Sequence, residues 1–303
     1  MIMKNRRILT ILVWLQIIFC VRAGAAADNG KIKVVTSLFP IYDFTRQVGR
    51  DRVDVSLLLP PGVEAHNFEP KPRDLVQLNN ADIFIYTGKY MEPWVGNLLR
   101  GIASPKLLII DASQGITLLQ DNDEEKGFDP HIWMDLSNAA KMVETIAAGL
   151  AQKDPGHAKF YQSNAGAYKS QLGELDNRFS QTLKACPQKI LIQGGHFAFG
   201  YLAKRYNLRY ISAYKGFTPD AEPTARNIAE MVETIKHYQV KYIFYEELLN
   251  PRVAETLAQE TGASLLKLSA AHNITRDEMA QGITFISILE NDLASLKVGL
   301  QCP

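Results

Sequence analysis

Strand-like and helix-like stretches alternate along both halves of this chain, and one long amphipathic segment separates the halves. In the first half, Lys31 to Phe39 has the β-branched and apolar content of a buried strand, with Pro40 closing it. Asp54 to Leu59, Ile83 to Thr87 and Leu107 to Asp111 read the same way. The second half offers Lys189 to Gln193, Arg209 to Ser212, Lys241 to Tyr245 and Ser264 to Lys267. Helical stretches lie between most of these, including Ile41 to Val48, Pro72 to Asn79, Glu92 to Gly101 and Ala221 to Tyr238. This alternation predicts mainly parallel sheets with helices on both faces, so the expected class is α/β.

The separating segment runs from Gly156 to Leu183. Within it Tyr161, Ala165, Tyr168, Leu172, Leu175 and Phe179 recur at spacings of four, three, four, three and four. That is one apolar stripe on a helix about 42 Å long, enough to bridge two lobes. A coiled-coil seam is the alternative, but the stripe lasts only about three heptads and lacks flanking charge patterns, so packing within the chain is expected. The predicted organisation is a leader over residues 1–27, an N-terminal lobe over 28–155, a linking helix over 156–184 and a C-terminal lobe over 185–303.

Lys4, Arg6 and Arg7 precede an apolar run from Ile8 to Val21, and the small residues Ala25, Ala26 and Ala27 follow. This is the pattern of a secretory signal, with cleavage expected near Ala27; the run is too short for the ~20 residues that span a bilayer. Cys20 raises a lipoprotein alternative, which the bulky Phe19 before it fits poorly. An exported chain folds where disulfides persist, and Cys186 and Cys302 would be the two thiols left after cleavage. A bond between them is the expectation, with two unpaired thiols as the alternative. A formal net charge of +1 supplies no large field for attracting nucleic acid or anionic lipid.

The chain has six histidines, and three lie in short, well-defined settings 65 residues apart. His66 follows the turn-rich Pro60, Pro61 and Gly62; His131 follows Asp129 and Pro130; His196 follows Gly194 and Gly195, read here as allowing a sharp backbone turn. Open α/β sheets gather the loops at the carboxyl ends of their strands on one side, which would bring the three together. Imidazole nitrogen suits zinc, copper and nickel better than it suits manganese, magnesium or calcium. His157 and His237, at a helix start and near a helix end, carry no such reading.

These motifs resemble the metal-binding proteins of bacterial ABC importers for zinc and manganese, the group of ZnuA-like, TroA-like and PsaA-like receptors. The resemblance rests on Pro61 to Pro72 around His66, Asp129 to Asp135 around His131, Gly194 to Leu202 around His196, and on Glu222-Pro-Thr, Ile243-Phe-Tyr-Glu-Glu and Glu260-Thr-Gly-Ala downstream. It implies two α/β lobes joined by one rigid helix, a metal held between them, and delivery to a membrane permease. His66 and His131 match the first two ligands. A histidine in the third place, here His196, accompanies zinc where glutamate accompanies manganese. The family usually places a carboxylate as fourth ligand, but Leu268 to Thr275 contains none, and His272 stands near the expected position. The alternatives there are a water, Glu246 or Glu247. The family's His-rich acidic loop is reduced to Asp121, Asp123, Glu124 and Glu125, read as ordinary surface charge.

The expected function is capture of a divalent transition metal, zinc first, by a monomeric periplasmic binding protein rather than an enzyme. Asp129, Asp135 or Glu69 would orient the imidazoles. A secreted zinc hydrolase would need an open fourth position beside a general base, and no His-Glu-x-x-His stretch occurs. A metal-chelate receptor of the same architecture would turn its histidines away from one another. A surface adhesin would rest on lipidation at Cys20.

Overall fold

The computed structural model describes residues 30–120, 127–214, 216–217, 223–246 and 248–303, and Lys31–Pro303 form one compact unit. The expected leader with Cys20 and Ala27, the acidic run from Asp121 to Glu125, and Glu222 and Glu247 lie outside the described residues.

Among the described residues, eight strands form two four-stranded sheets. The first has β1 (Ile32–Thr36), β2 (Val53–Leu57), β3 (Ile83–Tyr86) and β4 (Leu108–Asp111) in the order β2-β1-β3-β4. The second has β5 (Ile190–Gln193), β6 (Arg209–Ser212), β7 (Tyr242–Tyr245) and β8 (Ser264–Lys267) in the order β6-β5-β7-β8. Every pairing between these strands is parallel. Central strands therefore read as continuous apolar runs: Ile83, Phe84 and Ile85 are all fully buried because helices cover both faces.

The helices are α1 (Phe39–Gly49), α2 (Pro72–Asn79), α3 (Val95–Arg100), α4 (Leu136–Lys153), α5 (Ala158–Ala185), α6 (Gly200–Arg205), α7 (Ala225–His237), α8 (Arg252–Thr261), α9 (Arg276–Gln281) and α10 (Phe285–Gly299). Pro40 does not close β1. The strand ends at Thr36, and Pro40 sits in the first turn of α1, where its missing N–H leaves nothing unpaired. Helix α3 begins at Val95 rather than Glu92, whose buried carboxylate instead accepts from Ser37 Oγ and from the amides of Thr87 and Gly88, joining the ends of β1 and β3. Asp135 caps α4 by accepting from the Ser137 amide, and Thr224 caps α7 by accepting from the Asn227 amide.

The long helix is present, and all six residues of its apolar stripe are buried. Helix α5 packs against α1, α4 and α10, so the last helix of the chain returns to the first lobe's helices. At that junction the buried Asp43 carboxylate accepts from the Phe285 amide (3.0 Å) and the Tyr168 hydroxyl (3.1 Å). Phe44 meets Phe285 edge-on with ring centres 5.0 Å apart. One continuous apolar core runs through these helices and beneath both sheets. Cys186, at the end of α5, is disulfide-bonded to Cys302.

Candidate metal centre

The three histidines singled out by their settings in the sequence lie on loops after strands, and His272, the candidate for the fourth position, lies with them. His66 follows β2, His131 lies between β4 and α4, His196 follows β5 and His272 follows β8. One ring nitrogen of each lies within 4.8 Å of those of the other three. The six ring-centre separations fall between 4.9 and 5.3 Å, so the rings stand at the corners of a nearly regular tetrahedron. His131 Nε2 is 3.2 Å from His66 Nε2 and 3.3 Å from His196 Nε2. A tetrahedral zinc site with Zn–N of about 2.0–2.1 Å has corners about 3.3–3.4 Å apart.

The hydrogen bonds behind the rings explain why lone pairs, not protons, converge. His131 Nδ1 lies 2.7 Å from Asp129 Oδ1, and His196 Nδ1 lies 3.0 Å from Glu246 Oε1. A carboxylate can only accept, so each Nδ1 carries the proton and each Nε2 presents its lone pair inward. While both rings are neutral, two lone pairs 3.3 Å apart repel each other, and a cation between them, whether a proton or a metal ion, removes that repulsion. Among the described residues, His272 Nε2 is buried with no hydrogen-bond partner. Such an atom costs free energy unless something electrophilic meets it.

Burial holds His66, His131 and His272 well below the usual imidazole range, and neighbouring imidazoles push them the same way. They are neutral at pH 7, the form that coordinates metal. Burial acts to lower His196, but the charge and hydrogen bond of Glu246, together with the charges of Glu64 and Asp129, outweigh it and leave this imidazole above its ordinary value. Three of the rings are buried, and His66 is partly exposed.

The orienting carboxylates differ in part from the expected set. Asp129 performs that role for His131, whereas Asp135 caps α4 and pairs with Arg205, and Glu69 is exposed on the His66 loop. Glu246, read from sequence as a possible fourth ligand, supports His196 from behind. Gly194 and Gly195 serve close approach rather than an unusual turn, since neither has a positive φ. A Cβ at Gly195 would lie 2.5 Å from Glu246 Oε1, and one at Gly194 would lie 2.5 Å from the Ala254 Cβ. His157 bonds to Asp154 and His237 packs against Tyr238, both away from the cluster.

Although it follows the last strand, the His272 segment is fastened to first-lobe elements. The Phe39 amide donates to His272 O (3.2 Å), the Gly62 amide to Ile274 O (2.8 Å) and Trp133 Nε1 to Ala270 O (2.8 Å). The Asn273 side chain donates to both Pro60 O and Val63 O, at 2.7 and 2.9 Å. Asn273 therefore ties the His272 loop to the His66 loop, a role that no spacing in the sequence announces. Ala271 takes a left-handed φ of 55° just before His272, a conformation held by this network.

Comparison with known proteins agrees with this geometry. A family model described as zinc-uptake complex component A periplasmic (ZnuA) matches residues 34–299. The high-affinity zinc uptake system protein ZnuA of Bacillus subtilis is 35% identical over 290 residues, covering 91% of this chain and 90% of that one. The zinc-binding lipoprotein AdcA of Streptococcus pneumoniae is 34% identical, and the match covers 89% of this chain but only 56% of AdcA. Among solved structures, the Zn(II)-bound ZnuA-like domain of S. pneumoniae AdcA superposes with a TM-score of 0.78 at 34% identity, covering 89% of this chain and 99% of that one. The laminin-binding protein Lmb of Streptococcus agalactiae, described as bifunctional with adhesin and metal-transporting activity, gives 0.82 at 31% identity, over 89% and 100% of the two chains. By fold, site and sequence the chain belongs to the ZnuA family of periplasmic zinc-uptake components.

Proposed function

We propose that this protein is an exported solute-binding component of a zinc importer, holding one zinc ion on His66, His131, His196 and His272 and passing it to an ABC permease. Zinc is the cargo, and the protein captures it without chemical conversion. The carrying observation is the tetrahedron of four imidazoles with two Nε2–Nε2 separations of 3.2 and 3.3 Å. An all-nitrogen donor set of this shape suits zinc better than manganese, which draws mainly on oxygen. His272 stands in the corner that a zinc hydrolase would keep for water, and the rings face one another rather than a bulky chelate.

The ligand set belongs to one chain, so a monomer is sufficient for capture. Residues 28–155 and 185–303 act as the two lobes and 156–184 as the linking helix, with the leader removed near Ala27 and the mature protein in the periplasm. A lipid on Cys20 is the alternative anchorage. Buried walls let the ligands replace the water shell of the ion, and Asp129 and Glu246 keep two imidazoles aimed while it enters.

The test is calorimetric titration of metal-stripped protein with zinc and with manganese, beside His196→Ala. One-to-one zinc binding that is much tighter than manganese binding, and is lost or severely weakened in the variant, is the expected result. Absence of specific zinc binding to the parent protein would overturn the reading.

A further inference from the structure

Two tyrosine hydroxyls are inserted into the backbone of the loops that carry His131 and His196. Tyr201, on α6 and only 3% exposed, accepts from the Leu119 amide at 2.9 Å and donates to Asp129 O at 3.2 Å. The Asp129 amide donates to Leu119 O at 2.8 Å. Leu119 and Asp129 thus make one half of the reciprocal pair of an antiparallel ladder, and the phenol stands where the other half would close. Next along α6, a Cβ at Gly200 would lie 2.5 Å from Asp129 Oδ2, so only glycine lets the helix come this close to the carboxylate. That carboxylate accepts from both the amide and Nδ1 of His131, at 3.0 and 2.7 Å.

Tyr210, on β6, repeats the arrangement at the other loop. Its hydroxyl accepts from the Ala198 amide and donates to His196 O, both at 3.1 Å. Burial pushes both phenols well above their ordinary range, so both remain donors at any physiological pH.

We infer that Tyr201 and Tyr210 are positioning residues of the metal centre, setting the aim of His131 through Asp129 and of His196 through its own backbone. Tyr201 acts across the two halves of the chain: it sits on the helix that begins four residues after His196 and grips the residue that orients His131. The third-ligand segment and the second ligand are thereby placed by one short element. The inference rests on the proposed zinc site, and its test separates the two.

The test uses Tyr201→Phe and Tyr210→Phe in the otherwise intact protein, with Tyr161→Phe as reference. Tyr161 is also fully buried and its hydroxyl also donates a hydrogen bond, to Asp154 at 2.8 Å, but at the start of α5. Zinc affinity by chelator competition and the visible absorption of the cobalt(II)-loaded protein are the readouts. Loss of an outer partner typically weakens metal binding by about 10–100-fold. Tyr201→Phe is expected to fall at the lower end, about tenfold, with a shifted cobalt spectrum, and Tyr210→Phe to behave alike. Tyr161→Phe is expected to lose thermal stability only. Unchanged affinity and spectra in both site variants, with stability losses like that of Tyr161→Phe, would reduce the two hydroxyls to structural hydrogen bonds. A parent protein that bound neither zinc nor cobalt would overturn the site itself and this inference with it.

Discussion

Replacing His272 by leucine should move the stability of the metal-free and zinc-loaded protein in opposite directions. In the metal-free protein His272 Nε2 is a buried nitrogen without a partner, and its imidazole is neutral because burial holds its pKa well below the usual range. An unsatisfied buried group of this kind costs about 1–3 kcal/mol, and His272→Leu removes it. Leucine still fills the space beside Trp133, whose ring lies 5.4 Å from that of His272, and a swap of similar shape costs under about 1.5 kcal/mol. The metal-free variant should therefore be as stable as the parent or more stable by about 1 kcal/mol. Zinc at a free concentration of 100 times the parent Kd stabilises the parent by about 2.7 kcal/mol. If losing a direct ligand weakens binding by about 100-fold, the upper end for outer partners, the same zinc stabilises the variant by only about 0.4 kcal/mol. Urea denaturation with and without chelator-buffered zinc measures all four states. A metal-free variant destabilised by more than about 2 kcal/mol, together with full zinc stabilisation, would refute the assignment of His272 as an unpaired nitrogen awaiting metal.

Acidity should weaken zinc binding through one proton at first. Of the four clustered imidazoles only His196 titrates above its ordinary value, so it is the first of them to protonate as the pH falls, while His66, His131 and His272 stay neutral to lower pH. Zinc affinity measured by competition should lose about tenfold per pH unit just below the His196 transition, and a slope of two or more protons there would contradict this order. For folding of the metal-free protein the signs divide. The three lowered imidazoles give stability that is present above the ordinary imidazole pKa and lost as the pH falls, whereas His196 gives stability present at lower pH and lost as the pH rises through its raised value. Reduction of the Cys186–Cys302 bond, which links residues 116 apart, should lower unfolding free energy by up to about 5 kcal/mol on loop entropy. Zinc affinity should change less than about twofold, since Cys186 precedes β5 while His196 follows it. Denaturation with and without reductant checks the first, and a stability loss below about 1 kcal/mol would show that the unfolded loop is already restricted.

Most of the scaffold was legible because its periodicities are local. The stripe from Tyr161 to Phe179 is buried as its spacing implies, and the strands Arg209–Ser212 and Ser264–Lys267 fall where β-branched and apolar residues place them. Boundaries were lost where a side chain left the local pattern. Pro40 serves a helix start instead of a strand end, and Glu92 leaves its helix to hold two strand ends.

The sequence by itself determined the α/β class, the long helix and three of the clustered histidines, because hydrophobic spacing and short-range turn chemistry are written in neighbouring residues. Only the tertiary structure decided that His272 completes the cluster, that Glu246 stands behind His196 instead of joining the ring of imidazoles, and that Asn273 fastens one loop to another. Those pairings connect residues up to 213 positions apart, and nothing in the order of a chain records a hydrogen bond made across its folded interior.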